Sequence, residues 1–470
     1  MQPGSDQFVS VSPDGSHLTL GLKPFYFAGA NCYYLLTRAA DPALRHQVTE
    51  VLDAARKAGL TVIRTWAFCD GQEWNALQPK PGEFDERVFQ GLDFVVHEAG
   101  KRGLKLMLVL TSFWKAYGGM PQYVRWSCER RGLPVTDRAE LFYADPRCQD
   151  VFQNFLVTIT SRTNTLTKQA YRDDPSIMSW ALANEPRCPG DYAASTLEAW
   201  IAPTAEFLKS IDPNHLITLG SEGFLGSSSP DLIIDNPYDT LAYGCDFLRH
   251  HMCEHIDFAT IHLWPDNWLP NADEDQKLRF ARRWINSHVD ACATLGKPLV
   301  IAEFGKKNDD GLRAAFYEKV YGVVLQHAKS GRYVVGSCCW MIAAASYPDY
   351  DGFTVYLTPP SAADAAAKLE AEMCAAQIAD RMQAGETSPR TPAIADRGRR
   401  ADDQEEASSE GAELDSDWVT PSRMARVASS SAADQVPKSD VKTVELIVHH
   451  AAAMRQLNGG DAASRDCVVM

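Results

Sequence analysis

The chain alternates between two kinds of apolar spacing. Short, nearly unbroken apolar runs occur at 26–31, 61–66, 104–110, 176–184, 216–220, 258–263, 298–304 and 333–340. Runs of that length without polar alternation fit strands buried on both faces. Between most of them lie segments with apolar residues at helical spacing: 47–58 (through Val48, Val51, Leu52 and Ala55), 84–102, 148–167, 196–211, 275–295 and 311–330. Strands separated by helices require parallel pairing through crossover connections. Eight such strands over roughly 330 residues predict an α/β protein of the (β/α)8 TIM-barrel type with enlarged loops. Ahead of them, FVSV and HLTL flank the turn sequence SPDGS, which predicts an N-terminal β-hairpin that plugs the bottom of the barrel. An open, doubly wound sheet is the alternative architecture. It would carry a glycine-rich phosphate turn after an early strand, and the sequence has none.

The pattern changes after the last strand. Residues 362–378 read as an alanine-rich final helix. Residues 385–435 are rich in Ser, Ala, Pro and charge, and 402–417 holds eight acids and no base. Such a composition buries too little apolar surface to offset its ordering entropy. The expected organisation is a barrel domain over 1–375 and a largely disordered C-terminal tail over 376–470, with one short amphipathic helix near 441–456 through Val444, Ile447, Val448 and Ala451.

Charge and composition narrow the function. The net charge of -15 and the lack of a basic stripe argue against a nucleic-acid surface. No apolar run approaches the length of a membrane helix, so no transmembrane segment is expected. The first residues, MQPGSDQFVSVSPDGSH, lack the basic and apolar regions of a signal peptide, which suggests an intracellular protein or a missing start. The twelve cysteines form no CxxC pair and no repeating spacing, so neither a metal site nor a disulfide framework is expected. Cys338 and Cys339 fall within a strand-like run and read as small buried thiols.

Polar residues interrupt the apolar runs at one end. The run at 176–184 breaks at Asn184 and Glu185, and Pro186 forbids its continuation. By the same rule strand two supplies Arg64, strand six His262 and Trp264, strand seven Glu303 and strand eight Trp340. Barrel closure brings the carboxyl ends of all strands to one face. Glu185 and Glu303 then face each other, and paired carboxylates flanking a bond are what glycoside hydrolysis requires. Arg64 would lower the pKa of the nucleophile. The flat indole of Trp340 suits stacking on a sugar ring. Each residue has a plainer reading. Asn184-Glu185-Pro186 could be a polar turn, Arg64 the partner of a structural acid, His262 a satisfied core histidine, Glu303 a solvated loop acid and Trp340 core packing. Their coincidence at the same end of several strands favours the catalytic reading.

Longer motifs sharpen it. VIRTWAFCDG at 62–71, FDERVFQGLDFVVHEA at 84–99, WKAYGGMPQYVRW at 114–126, ALANEPRC at 181–188, GSEGFLG at 220–226, DFATIHLWPDNW at 257–268 and VIAEFGKK at 300–307 occur in this order. With them the chain, from about residue 8 to 357, resembles the family 5 glycoside hydrolases that are endo-β-1,4-mannanases, particularly those of plants. The resemblance implies a retaining endo-hydrolase acting on mannan, galactomannan and glucomannan without a cofactor, working extracellularly as a monomer. It implies Glu185 as acid/base and Glu303 as nucleophile. Arg64, Asn184, His262 and Trp340 match the family's other active-site positions, and Trp66 and Trp114 its mannan-binding aromatics. One departure stands out. Trp264 occupies a position where the family usually has tyrosine, and an indole N–H can donate, toward Glu303 for example, but cannot accept. Ser112 and Phe113 also replace amides common in the cleft loop.

Alternatives of other kinds are a family 5 glycanase acting on cellulose or glucomannan, a catalytically weak polysaccharide-binding barrel, and an intracellular scaffold whose tail carries the function. The last four residues, Cys467-Val468-Val469-Met470, have the C-a-a-X form of a farnesylation signal at Cys467. Only Arg465 is basic nearby, and a single lipid chain anchors marginally, so coincidence is the competing reading.

Overall fold

A computed structural model describes residues 7–307, 311–357 and 441–459. Val9–Val11 (β1) and Leu18–Leu20 (β2) pair antiparallel, and Lys23–Pro24 (β3) extends this small sheet. Eight parallel strands follow: Phe27–Asn31 (β4), Val62–Trp66 (β5), Lys105–Val109 (β6), Ile177–Ala181 (β7), Leu216–Thr218 (β8), Ala259–Leu263 (β9), Leu299–Phe304 (β10) and Val334–Cys339 (β11). Their ladder runs β8-β7-β6-β5-β4-β11-β10-β9. The ring is drawn together between β8 and β9 by isolated bonds: the Asp257 amide donates to the Ile217 carbonyl (2.8 Å) and the Thr218 hydroxyl to the Phe258 carbonyl (2.9 Å). All eight expected strands are present. Seven of them, all but β6, are buried along their whole length, the environment that a continuous apolar run reports.

The hairpin closes the bottom as expected. Val9 and Leu18 join Phe25 in one apolar cluster with Phe27, Val62, Met107, Met178, Leu216, Val300 and Val335 from the barrel strands. Around the ring lie Leu35–Ala40 (α1), Arg45–Lys57 (α2), Glu86–Lys101 (α3), Gly119–Arg131 (α4), Pro146–Ser161 (α5), Ser195–Ile211 (α6), Phe247–His251 (α7), Pro265–Trp268 (α8), Glu274–Leu295 (α9) and Leu312–Lys329 (α10). Four starts are fixed by aspartate caps, that of α7 by Asp246, which accepts from the Arg249 amide. The Asp85 and Asp145 side chains accept from the amides of Arg87 and Arg147, and Asp273 forms a capping box with Gln276. Four described helices, α1, α4, α7 and α8, lie outside the helical segments expected from sequence. α1 is a short buried turn of chain, and α4 opens with Gly119 and Pro121, residues that read as loop although proline is tolerated in a first helical turn.

The helix expected near 441–456 is Val441–Leu457 (α11). Sequence reading grouped it with the tail. In the structure it packs against α10 and β4, the place of a barrel's eighth helix. Thr443, Ile447, His450, Ala451 and Met454 share its buried face. His450 stacks on Tyr321 with ring centroids 4.0 Å apart. Just past the helix, Asn458 accepts from the Tyr26 amide (2.6 Å) and donates to the Tyr26 carbonyl (2.9 Å), and Arg455 donates to the Gly59 carbonyl (2.7 Å). Docking was not legible because the amphipathic face names no partner, and the residues before it separate the helix from β11. The expected helix at 362–378, the acidic stretch 402–417 and Cys467 lie outside the described residues. Among the described residues no cysteine is paired, and Cys338 and Cys339 are fully buried thiols. No described helix is long and apolar enough to cross a membrane.

Candidate active site

The carboxyl ends of the strands converge on a cleft lined by Tyr33, Trp66, Ser112, Trp114, Ala116, Tyr117, Asn184, Glu185, Glu303, Trp340 and Asp351. Glu185 sits just past β7. Its amide donates to the Gly220 carbonyl (2.9 Å), and its backbone is left-handed (φ 53°), a costly conformation for a side-chain-bearing residue. Gly220, itself at φ +83°, permits that approach: a Cβ there would lie 1.9 Å from the Ala183 carbonyl oxygen. Asn184 is held by its amide bond to the Thr111 carbonyl (2.8 Å).

Arg64 is buried at the centre. It donates to the side-chain oxygens of Asn31 (3.0 Å) and Asn184 (2.7 Å) and forms a close ion pair with Glu303. His262 Nδ1 lies 2.6 Å from Oε1 of Glu185 and 3.4 Å from Oε2 of Glu303. Glu185, Glu303 and His262 each offer an atom within 4.8 Å of the others. That grouping could in principle ligate a cation, but the Arg64 guanidinium already supplies positive charge against Glu303, which disfavours a metal there.

Burial dominates the electrostatics. It raises both glutamates above the ordinary carboxylate range. For Glu185 the opposing influences are Arg187, the Trp114 hydrogen bond and Arg64. For Glu303 they are His262 and Arg64, while the negative charge of Glu185 pushes it further up. The sequence expectation that Arg64 lowers Glu303 thus captures one influence and misses the larger one, desolvation. The two acids titrate as a pair. The close ion pair with Arg64 favours the charged form of Glu303. Burial also lowers His262 to about 4, so its imidazole is neutral at neutral pH.

The aromatic residues divide. Trp66 and Trp340 line the cleft, with Trp340 stacked on Tyr33 at 5.3 Å and 8°. Trp114 lines it too, but its indole nitrogen also donates to Oε2 of Glu185 (2.5 Å). Trp264 is not among the lining residues. It is buried behind Trp340, edge-on to that indole and to Phe353, with centroids 5.8 and 5.1 Å away. It reaches the cleft wall through its edge-on contact with Trp340.

Sequence reasoning did not single out Tyr33, Tyr117 and Asp351, all from loops, nor the pair Arg187 and Glu222. That pair is bidentate (2.6 and 2.7 Å), and the Arg187 guanidinium also lies over Trp114, Phe224 and Tyr243. Burial raises Glu222 to about 7 despite Arg187. Both residues fall inside the motifs quoted above, NEPRC and GSEGF, which was the available signal.

A family description, "GH family 5 beta-mannosidase-like", matches residues 6–353. The chain belongs to glycoside hydrolase family 5. Within that family it is 43% identical over 355 residues to mannan endo-1,4-beta-mannosidase 2 of Oryza sativa subsp. japonica, covering 73% of this chain and 79% of that protein. It is 44% identical to mannan endo-1,4-beta-mannosidase 1 of Solanum lycopersicum, covering 74% of this chain and 87% of that one. Among solved structures, the endo-1,4-beta-mannanase of Rhizomucor miehei is similar with a TM-score of 0.64 at 30% identity, over 77% of this chain and 97% of that one. The endo-beta-1,4-mannanase of Thermotoga petrophila is similar with a TM-score of 0.62 at 29% identity, over 74% and 77%. The barrel of this family 5 chain thus has counterparts among solved endo-mannanase structures.

Proposed function

We propose that the chain is an endo-acting, retaining hydrolase of internal β-1,4-mannosidic bonds in mannan, galactomannan and glucomannan. The observation that carries this reading is the pair of buried carboxyls, Glu185 and Glu303, with oxygens within 4.8 Å and unlike neighbours. Retaining glycosidases hold their two carboxyl groups about 5–5.5 Å apart, whereas inverting ones leave room for a water at about 6.5–9.5 Å. The relatives named above supply the substrate class.

In the first step Glu303 attacks the anomeric carbon. The bond to the departing sugar breaks, and Glu185 gives its proton to the leaving oxygen. Burial favours that proton on Glu185, and the contact with Arg64 favours negative charge on Glu303. In the second step Glu185 takes a proton from water, whose oxygen attacks the anomeric carbon and releases Glu303. Trp340 and Trp66 provide flat apolar faces for the sugar ring, and Asn184, fixed by Arg64, offers a polar contact beside it.

The test is hydrolysis of galactomannan and carboxymethylcellulose in parallel, with the first-formed anomer read by proton NMR. The proposal predicts cleavage of galactomannan with β-configured product. Preference for carboxymethylcellulose would move the assignment to a cellulose-type glycanase, and an α-configured product would remove the retaining mechanism.

A further inference from the structure

A third carboxyl group lines the cleft. Asp351 lies in the loop after β11, half-buried, and it shares the cavity wall with Trp340, Tyr33 and the two glutamates. Its oxygens are partly used. Oδ2 accepts from the Trp340 indole nitrogen (3.2 Å) and Oδ1 from the Phe353 amide (2.9 Å). Each carboxylate oxygen can accept two hydrogen bonds, so acceptor capacity remains toward the cleft. Among the described residues no lysine or arginine forms an ion pair with it. Its charged neighbour is another acid, Asp349, whose side chain shares a hydrogen bond with it and whose Oδ1 accepts from the amides of Gly352 and Thr354. Burial and this like charge raise Asp351 to about 6. An acid kept in a cavity wall without a cation, next to the indole that offers its face to a sugar, is a costly choice for packing alone. It suits a ligand rich in neutral donors, and vicinal sugar hydroxyls are such donors.

We infer that Asp351 is a substrate-binding residue whose carboxylate accepts hydrogen bonds from neighbouring hydroxyls of the sugar ring seated against Trp340. This deepens the mannan-hydrolase reading and rests on it. The carboxylate also holds the Trp340 indole by its N–H, so one side chain fixes the apolar platform and reads the polar edge of the same ring.

The experiment is calorimetric binding of β-1,4-mannohexaose to the full-length Glu185→Gln protein, which cannot turn it over, with and without Asp351→Asn. The one carboxamide oxygen can replace the acceptor for the Trp340 indole or for the Phe353 amide but not both, so the thermal midpoint should fall only slightly, far less than the affinity. Affinity should fall about tenfold or more, the loss expected for hydrogen bonds to a charged group. Unchanged affinity would overturn this inference alone. A fall in thermal midpoint matching the loss of affinity would reduce Asp351 to a structural role and overturn it as well. No binding by the Glu185→Gln parent would remove the mannan reading, and this inference with it.

Discussion

The indole nitrogen of Trp114 donates to Oε2 of Glu185 across 2.5 Å. A residue that resemblance marks as a sugar-stacking aromatic is therefore also wired to the proposed acid. The N–H favours the carboxylate form of Glu185 and pulls its pKa down against burial. Trp114→Phe keeps a flat ring but deletes the donor. Glu185 must be protonated to act as the acid, so its titration sets the alkaline limb of the pH–rate profile. Loss of the donor raises its pKa, and that limb should move to higher pH. A profile of kcat/KM against pH on mannohexaose reads this directly; a limb that stays put or moves down would contradict the assignment.

Arg64 gives a second expectation with the opposite logic. It is buried, pairs with Glu303 and orients Asn31 and Asn184. Arg64→Met removes the positive charge from the nucleophile. Glu303, already raised by burial, should rise further, and the acidic limb should shift upward because the nucleophile must be ionised. Removing one partner of a buried ion pair also costs about 3–5 kcal/mol of stability. Urea unfolding beside the pH profile checks both. A stable variant with an unshifted acidic limb would mean that Arg64 is peripheral.

The docked C-terminal helix predicts a stability effect far from the cleft in sequence. Ile447 and Met454 are fully buried against the barrel. Each change to alanine should destabilise the protein by about 2–5 kcal/mol, as for other large-to-small core substitutions. A chain ending at 440 should lose still more, since it also forfeits the Asn458 and Arg455 bonds to Tyr26 and Gly59. Urea midpoints equal to those of the intact protein would show the helix to be dispensable.

Most of the barrel was legible because its strands are buried on both faces, and such strands leave unbroken apolar runs. Arg64, Asn184, Glu185, His262 and Glu303 were legible because each interrupts such a run at the end that carries chemistry. What the runs do not encode is contact across loops. Tyr33, Tyr117 and Asp351 come from segments without periodicity, and only the fold brings them to the cleft. The sequence also did not show that Trp264 lies edge-on against Trp340. The face of α11 was visible, but its seat on α10 and β4 was not, since spacing reports that a face is apolar and not what covers it.

The account turns on Glu303 as the residue that becomes bonded to the sugar. Incubation with a 2-fluoro-β-mannosyl fluoride slows release of the glycosyl-enzyme, so the adduct can be weighed intact and located by peptide mass spectrometry. The prediction is one fluoromannosyl unit per chain, carried on the peptide that contains Glu303. An unmodified protein after inactivating exposure, or a label on Glu185, would contradict it.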